Sequence, residues 1–188
     1  KAEVWMDARV QQMLFELKGK DVSSYEHSVR VAELVQKYSM ATNLDAEIAQ
    51  RLVLCAKLHD LGKLILPRRI LKKAGSLTDS EWAAVKEHPR FGCELIRQTF
   101  GRELLRESHI VMTHHERMDG HGYPTGLNDK EIPIEARIIA VADAVDVMMH
   151  GRKYRKPISA DECKCEVLKC SGTQFDPEVA AVFVHDIL

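Results

Sequence analysis

Apolar positions recur at helical spacing along almost the whole chain. Met6, Val10, Met13, Leu14 and Leu17 share one stripe, which predicts a leading helix within residues 1–20. Ser23 and Glu26 have the spacing of a capping box, and Val31, Leu34, Val35 and Tyr38 continue a second helical face. A third helix carries Ile48, Leu52, Cys55 and Leu58 and is expected to end near Gly62. Thr78 with Glu81 is another capping-box signal, ahead of Trp82, Val85, Leu95 and Ile96, with a bend expected at Pro89. Further helices are predicted over residues 102–116 and 133–149, the second apolar nearly all round. Residues 119–126 are turn formers. Asp176 before Pro177 predicts the N-cap and first turn of a last helix. No segment alternates with the period of a strand, and there is no internal repeat. The predicted fold is all-α: one compact domain of about seven helices over residues 1–188.

Composition narrows this picture. A chain of 188 residues can bury roughly two-thirds or more of its unfolded surface, so it needs no disulfide or structural zinc to fold. With 45% hydrophobic and 29% charged residues it is not a disordered tail. Lys+Arg number 27 against 28 Asp+Glu, which argues against long nucleic acid as a partner. No apolar run is long enough to span a bilayer, and no signal peptide is visible. The chain begins at Lys1 and is read as a domain excised from a longer protein, with an upstream sensor or receiver domain expected. Five cysteines, an odd number with two at helical core positions, suggest reduced thiols in a cytoplasmic protein. Cys163, Cys165 and Cys170 lack the fourth ligand of a zinc knuckle and are expected to pack in a helix.

The histidines carry the chemistry. His27 extends the Val31 face one turn earlier, His59 extends the Leu52/Cys55 face, and His88 lies three residues after Val85, so all three are expected to point inward. Asp60 follows His59, His114 and His115 close a helix, and Asp143 sits in the most apolar one. A single inward histidine is usually a core residue bonded to a carbonyl, and a single buried acid is usually a cap or an ion-pair partner. Five such histidines with two such acids are better explained as ligands, because imidazole and carboxylate together suit zinc, iron, manganese or nickel. Seven ligands exceed the need of one ion and suit two sharing a carboxylate. His109, His121, His150 and His185 lack this company and are read as surface or loop residues. The basic run Arg68, Arg69, Lys72 and Lys73 is read as solvated. Lys63 and the run Arg152, Lys153, Arg155 and Lys156 adjoin predicted ligands, which fits phosphoester hydrolysis.

These residues also carry a resemblance. His59-Asp60-Leu61-Gly62-Lys63 matches the HD-x-G-K signature of the HD metal-dependent phosphohydrolases, and the segment from His114-His115-Glu116 to Gly122-Tyr123-Pro124 matches the H-H-E-x-x-D-G-x-G-Y-P signature of the HD-GYP subgroup. The likeness continues through Ala136-Arg137-Ile138, Ala142-Asp143 and Gln174-Phe175-Asp176-Pro177. It implies an all-helical enzyme that hydrolyses cyclic di-GMP, and in some members the mixed cyclic GMP-AMP, to the linear dinucleotide. It implies a first metal at His59, Asp60 and Asp143, with His27 nearby, and a second at Asp60, His88, His114 and His115. Two divalent ions are implied, iron or manganese before zinc or nickel, activating water for attack on phosphorus. Lys63 would contact the scissile phosphate, and Arg152 and Arg155 the substrate phosphates. Tyr123, with Gly122 and Pro124, would shape the site or a partner surface. Some members recruit a third metal through a glutamate one turn before the first histidine; here that residue is Ser23, so two ions are expected. The competing readings are another HD-type nucleotide phosphohydrolase and a non-catalytic cyclic-dinucleotide receptor or docking module.

Overall fold

The computed structural model describes residues 8–151 and 156–188. Met6, Arg152 and Arg155 lie outside the described residues. Among the described residues ten α-helical segments follow in chain order: α1 Ala8–Lys20, α2 Val22–Ala41, α3 Ala46–Leu58, α4 Arg68–Leu71, α5 Asp79–Lys86, α6 His88–Phe100, α7 Leu105–Thr113, α8 Ile134–His150, α9 Ala160–Lys169 and α10 Pro177–Val182. A 3-10 turn, Leu61–Leu64, follows α3. Among the described residues there is no strand, only an isolated bridge between Ser171 and Phe175. The all-α expectation holds, with more and shorter helices than about seven.

Two apolar clusters make the core. Val31, Val35, Leu52, Ile110, Ile139, Val145 and Phe183 belong to the larger one, which α2, α3, α7, α8 and the chain's end build together. Val10, Leu54, Leu58, Leu61, Ile96 and Val111 belong to the other, under α1. Helices α3 and α7 feed both clusters, Leu52 and Ile110 entering the larger one and Leu54 and Val111 the other. The ends of these two helices are therefore packed against both halves of the core.

Several local expectations need correction. The Ser23–Glu26 capping box does not form. Helix α1 runs on to Lys20, so Asp21 alone separates it from α2, with its N–H on the Leu17 carbonyl at 2.8 Å. Asp21 is the N-cap, and Ser24 donates to its carboxylate at 2.7 Å. Ser23 is an exposed residue inside the helix. The expected bend at Pro89 is a full break between α5 and α6, because the proline has no N–H for the Val85 carbonyl. The helix expected over residues 102–116 is shorter, starting at Leu105 after Gly101 with its positive φ. Lys73 is not simply solvated: it pairs with Glu81. The capping box of Thr78 with Glu81 forms, as does the Asp176 cap of α10, which accepts from Glu178 and Val179. No helix among the described residues is long and apolar enough to cross a membrane.

Candidate metal centre

Three of the predicted ligands are placed by one device. Helices α3, α5 and α7 end just before His59, His88 and His114. The last carbonyls of a helix have no partner one turn further on. Each histidine turns its Nδ1–H back onto such a carbonyl three residues earlier: His59 to Ala56 at 2.7 Å, His88 to Val85 at 2.8 Å and His114 to Val111 at 2.6 Å. The bond fixes the neutral tautomer and leaves each Nε2 lone pair facing inward, the arrangement a ligating imidazole needs. Gly62 lets the Asp60 turn lie against α6, since a Cβ there would meet the His88 carbonyl at 1.8 Å.

Five of the seven predicted ligands, Asp60, His88, His114, His115 and Asp143, line one cavity of about 560 Å³, and His59 packs behind them, its ring centre 5.1 Å from that of His114 and 5.2 Å from that of His27. His27, His59 and Asp60 form one group able to hold an ion, and His88, His114 and His115 form another. Asp60 faces both. Its Oδ1 is 3.4 Å from His88 Nε2, and its Oδ2 is 3.7 Å from His59 Nε2. Asp143 also reaches both, at 2.9 Å from His27 Nε2 and 3.9 Å from His115 Nδ1. His88 and His114 bring their Nε2 atoms within 3.3 Å of each other. The Nε2 of His59 is sealed from solvent with no hydrogen-bond partner among the described residues. A buried polar atom left unpaired costs about 1–3 kcal/mol, and a cation at that atom removes the cost. The donor set fits divalent transition metals.

The electrostatics agree. Burial drives His88 down to about 3 and His115 down to about 4, and it also lowers His59 and His114. Four imidazoles are thus neutral and available as ligands at neutral pH. Burial also opposes a charge on Asp60, but Lys63, with Nζ at 2.6 Å, and the surrounding imidazoles hold the carboxylate well below its usual range. His27 is the exception. Burial opposes its charge, yet hydrogen bonds to Asp143 and Asp146 outweigh it and raise the imidazole to about 9.

Two residues outside the predicted set shape the site. Asp146 accepts from His27 Nδ1 at 2.6 Å and from Arg30 Nε at 2.7 Å, and lies 2.9 Å from His150. His150, read as a surface residue, is exposed but belongs to this chain of bonds. Buried Glu116 accepts from the backbone N–H groups of Thr125, Gly126 and Leu127 at 2.7–3.2 Å, tying the loop to the residue after the paired histidines. Asp146 was visible only as a second acid one turn after Asp143, and Glu116 only as a motif letter.

The remaining calls are placed as follows. Lys63 is buried beside Asp60 on the cavity wall. The Tyr123 ring packs over His115 with centroids 4.8 Å apart, so it faces the site. Gly122 presses against the Glu116–Arg117 backbone, where a Cβ would stand 2.5 Å from Glu116 Cα. Helix α8 is not buried all round, because Ala140, Asp143, Ala144 and Val147 line the cavity. Cys163 is in the core, Cys165 is exposed and Cys170 lines the cavity wall.

Comparison with known proteins places this geometry. The profile of the HD domain family matches residues 9–179. A cyclic di-GMP phosphodiesterase of Thermotoga maritima is 36% identical over 165 residues, covering 88% of this chain and 45% of that protein. A 3'3'-cGAMP-specific phosphodiesterase of Vibrio cholerae is 36% identical over 143 residues, 76% of this chain and 33% of that protein. The chain thus spans less than half the length of these relatives. In fold it is similar to an HDG"Y"P protein of Bdellovibrio bacteriovorus, with a TM-score of 0.68 at 22% identity over 88% of this chain and 52% of the other. It is likewise similar to the HD domain of the L. monocytogenes phosphodiesterase PgpH, solved with cyclic-di-AMP, with a TM-score of 0.68 at 15% identity over 92% of each chain.

Proposed function

We propose, from the premise that the chain belongs to the HD domain family in its HD-GYP branch, that it is a metal-dependent phosphodiesterase opening a cyclic dinucleotide, cyclic di-GMP or 3'3'-cGAMP, to the linear dinucleotide. The observation that carries this reading is the sharing of Asp60 between two groups of buried imidazoles, beside a cavity whose wall carries a buried lysine. His27, His59, Asp60 and Asp143 hold one divalent ion, and Asp60, His88, His114 and His115 hold the other. Iron or manganese is favoured over zinc or nickel. When bound, such ions supply Lewis acidity toward the phosphate and lower the pKa of a water.

The chain's own residues do the rest. Lys63 offers an ammonium to the non-bridging phosphate oxygens, where charge builds during attack. Its bond to Asp60 holds it at the floor until a phosphate competes for it. Asp146 orients His27, as outer-shell carboxylates do. Tyr123 braces His115 against rotation. Arg152 and Arg155 take the substrate phosphates by charge-assisted bonds. The relatives' greater length is consistent with an upstream regulatory domain, and a cytoplasmic location is part of the same proposal.

The test is anaerobic purification and elemental analysis, followed by product analysis with cyclic di-GMP and 3'3'-cGAMP side by side. Linear dinucleotide formed over many turnovers is the expected result. Stoichiometric binding without turnover by the metal-loaded protein would overturn the enzymatic reading in favour of a receptor.

A further inference from the structure

No residue of α5 is buried, although its apolar face carries Trp82 and Val85. Trp82 stays 46% exposed, an unusual place for so large an apolar ring. Both side chains front two cavities. One is the cavity above the histidines. The other, of about 280 Å³, opens between α2, α4, α5 and the end of α8 and reaches His27. Lys63, Trp82, Val85 and Val147 line both, so the two spaces meet along a ridge with Lys63 in it. On the main-cavity side, Lys86 Nζ stands 5.7 Å from the Trp82 ring centre and 5.6 Å from that of Tyr123.

We propose that the second cavity is a nucleobase subsite, taking one purine ring of a cyclic dinucleotide whose scissile phosphate lies at Lys63, with Trp82 as the stacking platform. The proposal rests on the phosphodiesterase reading for the identity of the ligand. A cyclic dinucleotide carries a base on each side of its phosphate ring. A site with one lobe would leave one base in water, whereas two lobes divided by Lys63 receive both. The second lobe is at the low end of small-molecule pockets, suited to one nucleoside and not to a whole dinucleotide. Its walls combine apolar groups for the faces of a purine, Ile70 and Leu77, with polar groups for its edges, the Ser23 hydroxyl and the charged Asp21, Arg30 and Lys73 among them. Stacking tolerates any base, because each has a π-face. Trp82 is therefore expected to serve guanine and adenine alike.

The chain has two tryptophans, Trp5 and Trp82. With Trp5→Phe, the emission of Trp82 is read alone by stopped flow in metal-loaded protein, before turnover. Cyclic di-GMP and 5'-GMP should quench it, and ribose 5-phosphate should not. Trp82→Ala should raise KM for cyclic di-GMP about ten- to a hundredfold, from the known strength of base stacking, and more than it lowers kcat; Trp82→Phe should recover most of the loss. Turnover without quenching, equal quenching by ribose 5-phosphate, or a Trp82→Ala KM within about twofold of the parent would overturn the base site alone. Quenching by the two nucleotides with no turnover would overturn the phosphodiesterase reading and leave the base site standing. Neither signal would overturn both.

Discussion

Asp60 Oδ1 stands 3.4 Å from His88 Nε2, joining the turn after α3 to the start of α6 across the cavity floor. The other oxygen of the same carboxylate looks toward His59 and accepts from Lys63. One side chain therefore serves both ligand groups. Asp60→Ala is expected to lower bound metal from two ions per chain to below one and to abolish hydrolysis. His59→Ala should spare more metal than Asp60→Ala, since it touches one group only. Elemental analysis of the two variants beside the parent checks this. Near-parental turnover in Asp60→Ala with its metal in place would sink the shared-carboxylate reading.

The metal-free protein should be most stable near pH 6.5. His88 at about 3 and His115 at about 4 lie below the ordinary histidine value. Their contribution is complete above about 6.5, the unfolded value, and is lost as pH falls toward 4, because the unfolded chain then binds the extra protons. His27 at about 9 acts in the opposite direction. Its contribution is complete below about 6.5 and is lost as pH rises through 9. Thermal midpoints of chelator-treated protein from pH 4.5 to 9.5, in steps of about half a unit, should trace a maximum with two arms. His27→Gln should flatten the alkaline arm only.

The same protonated His27 must give up its proton to become a ligand. Metal loading at pH 7 should therefore release close to one proton from this residue. Calorimetric titrations in two buffers of different ionisation enthalpy measure it, and the release should vanish in His27→Gln.

Glu116 is nearly inaccessible and its acceptors are filled by loop N–H groups. Hydrogen bonds to a charged group contribute about 1.5–3 kcal/mol each, so Glu116→Ala should cost at least about 2 kcal/mol of stability. Its signature should be local: faster amide exchange at Thr125, Gly126 and Leu127. Uniformly faster exchange over the whole chain would show that the loss is global and that the loop is held by other contacts.

Two ions, not three, are expected in the loaded protein. Ser23 lies one turn before His27 on the face that lines the second cavity, and a neutral hydroxyl is a poor ligand for a divalent ion. Anomalous scattering from loaded crystals should give two strong peaks per chain; a third beside Ser23 and His27 would contradict this.

Most helix positions, the Thr78 and Asp176 caps and the inward turn of His59, His88 and His114 were legible in the sequence because each depends on near neighbours. A period of 3.6 residues, a cap three residues from its acceptor and a histidine three residues after a terminal carbonyl are all local chemistry. Where local signals failed, a distant or adjoining element had intervened. Ser23 lost its cap to Asp21, the single residue between α1 and α2. Trp82 has the spacing of a core residue, yet its destination depends on what faces α5, and two cavities lie there. His27 could be read as pointing inward, but its partner Asp146 is 119 positions away. That pairing, and the high pKa it produces, arises only when α2 and α8 pack together. The sequence by itself determined which side chains turn inward and which chemistry they can support. The tertiary structure decided which of them share an ion, which are charged and which space is left for a ligand, because distance and burial between remote segments exist only once the helices have packed.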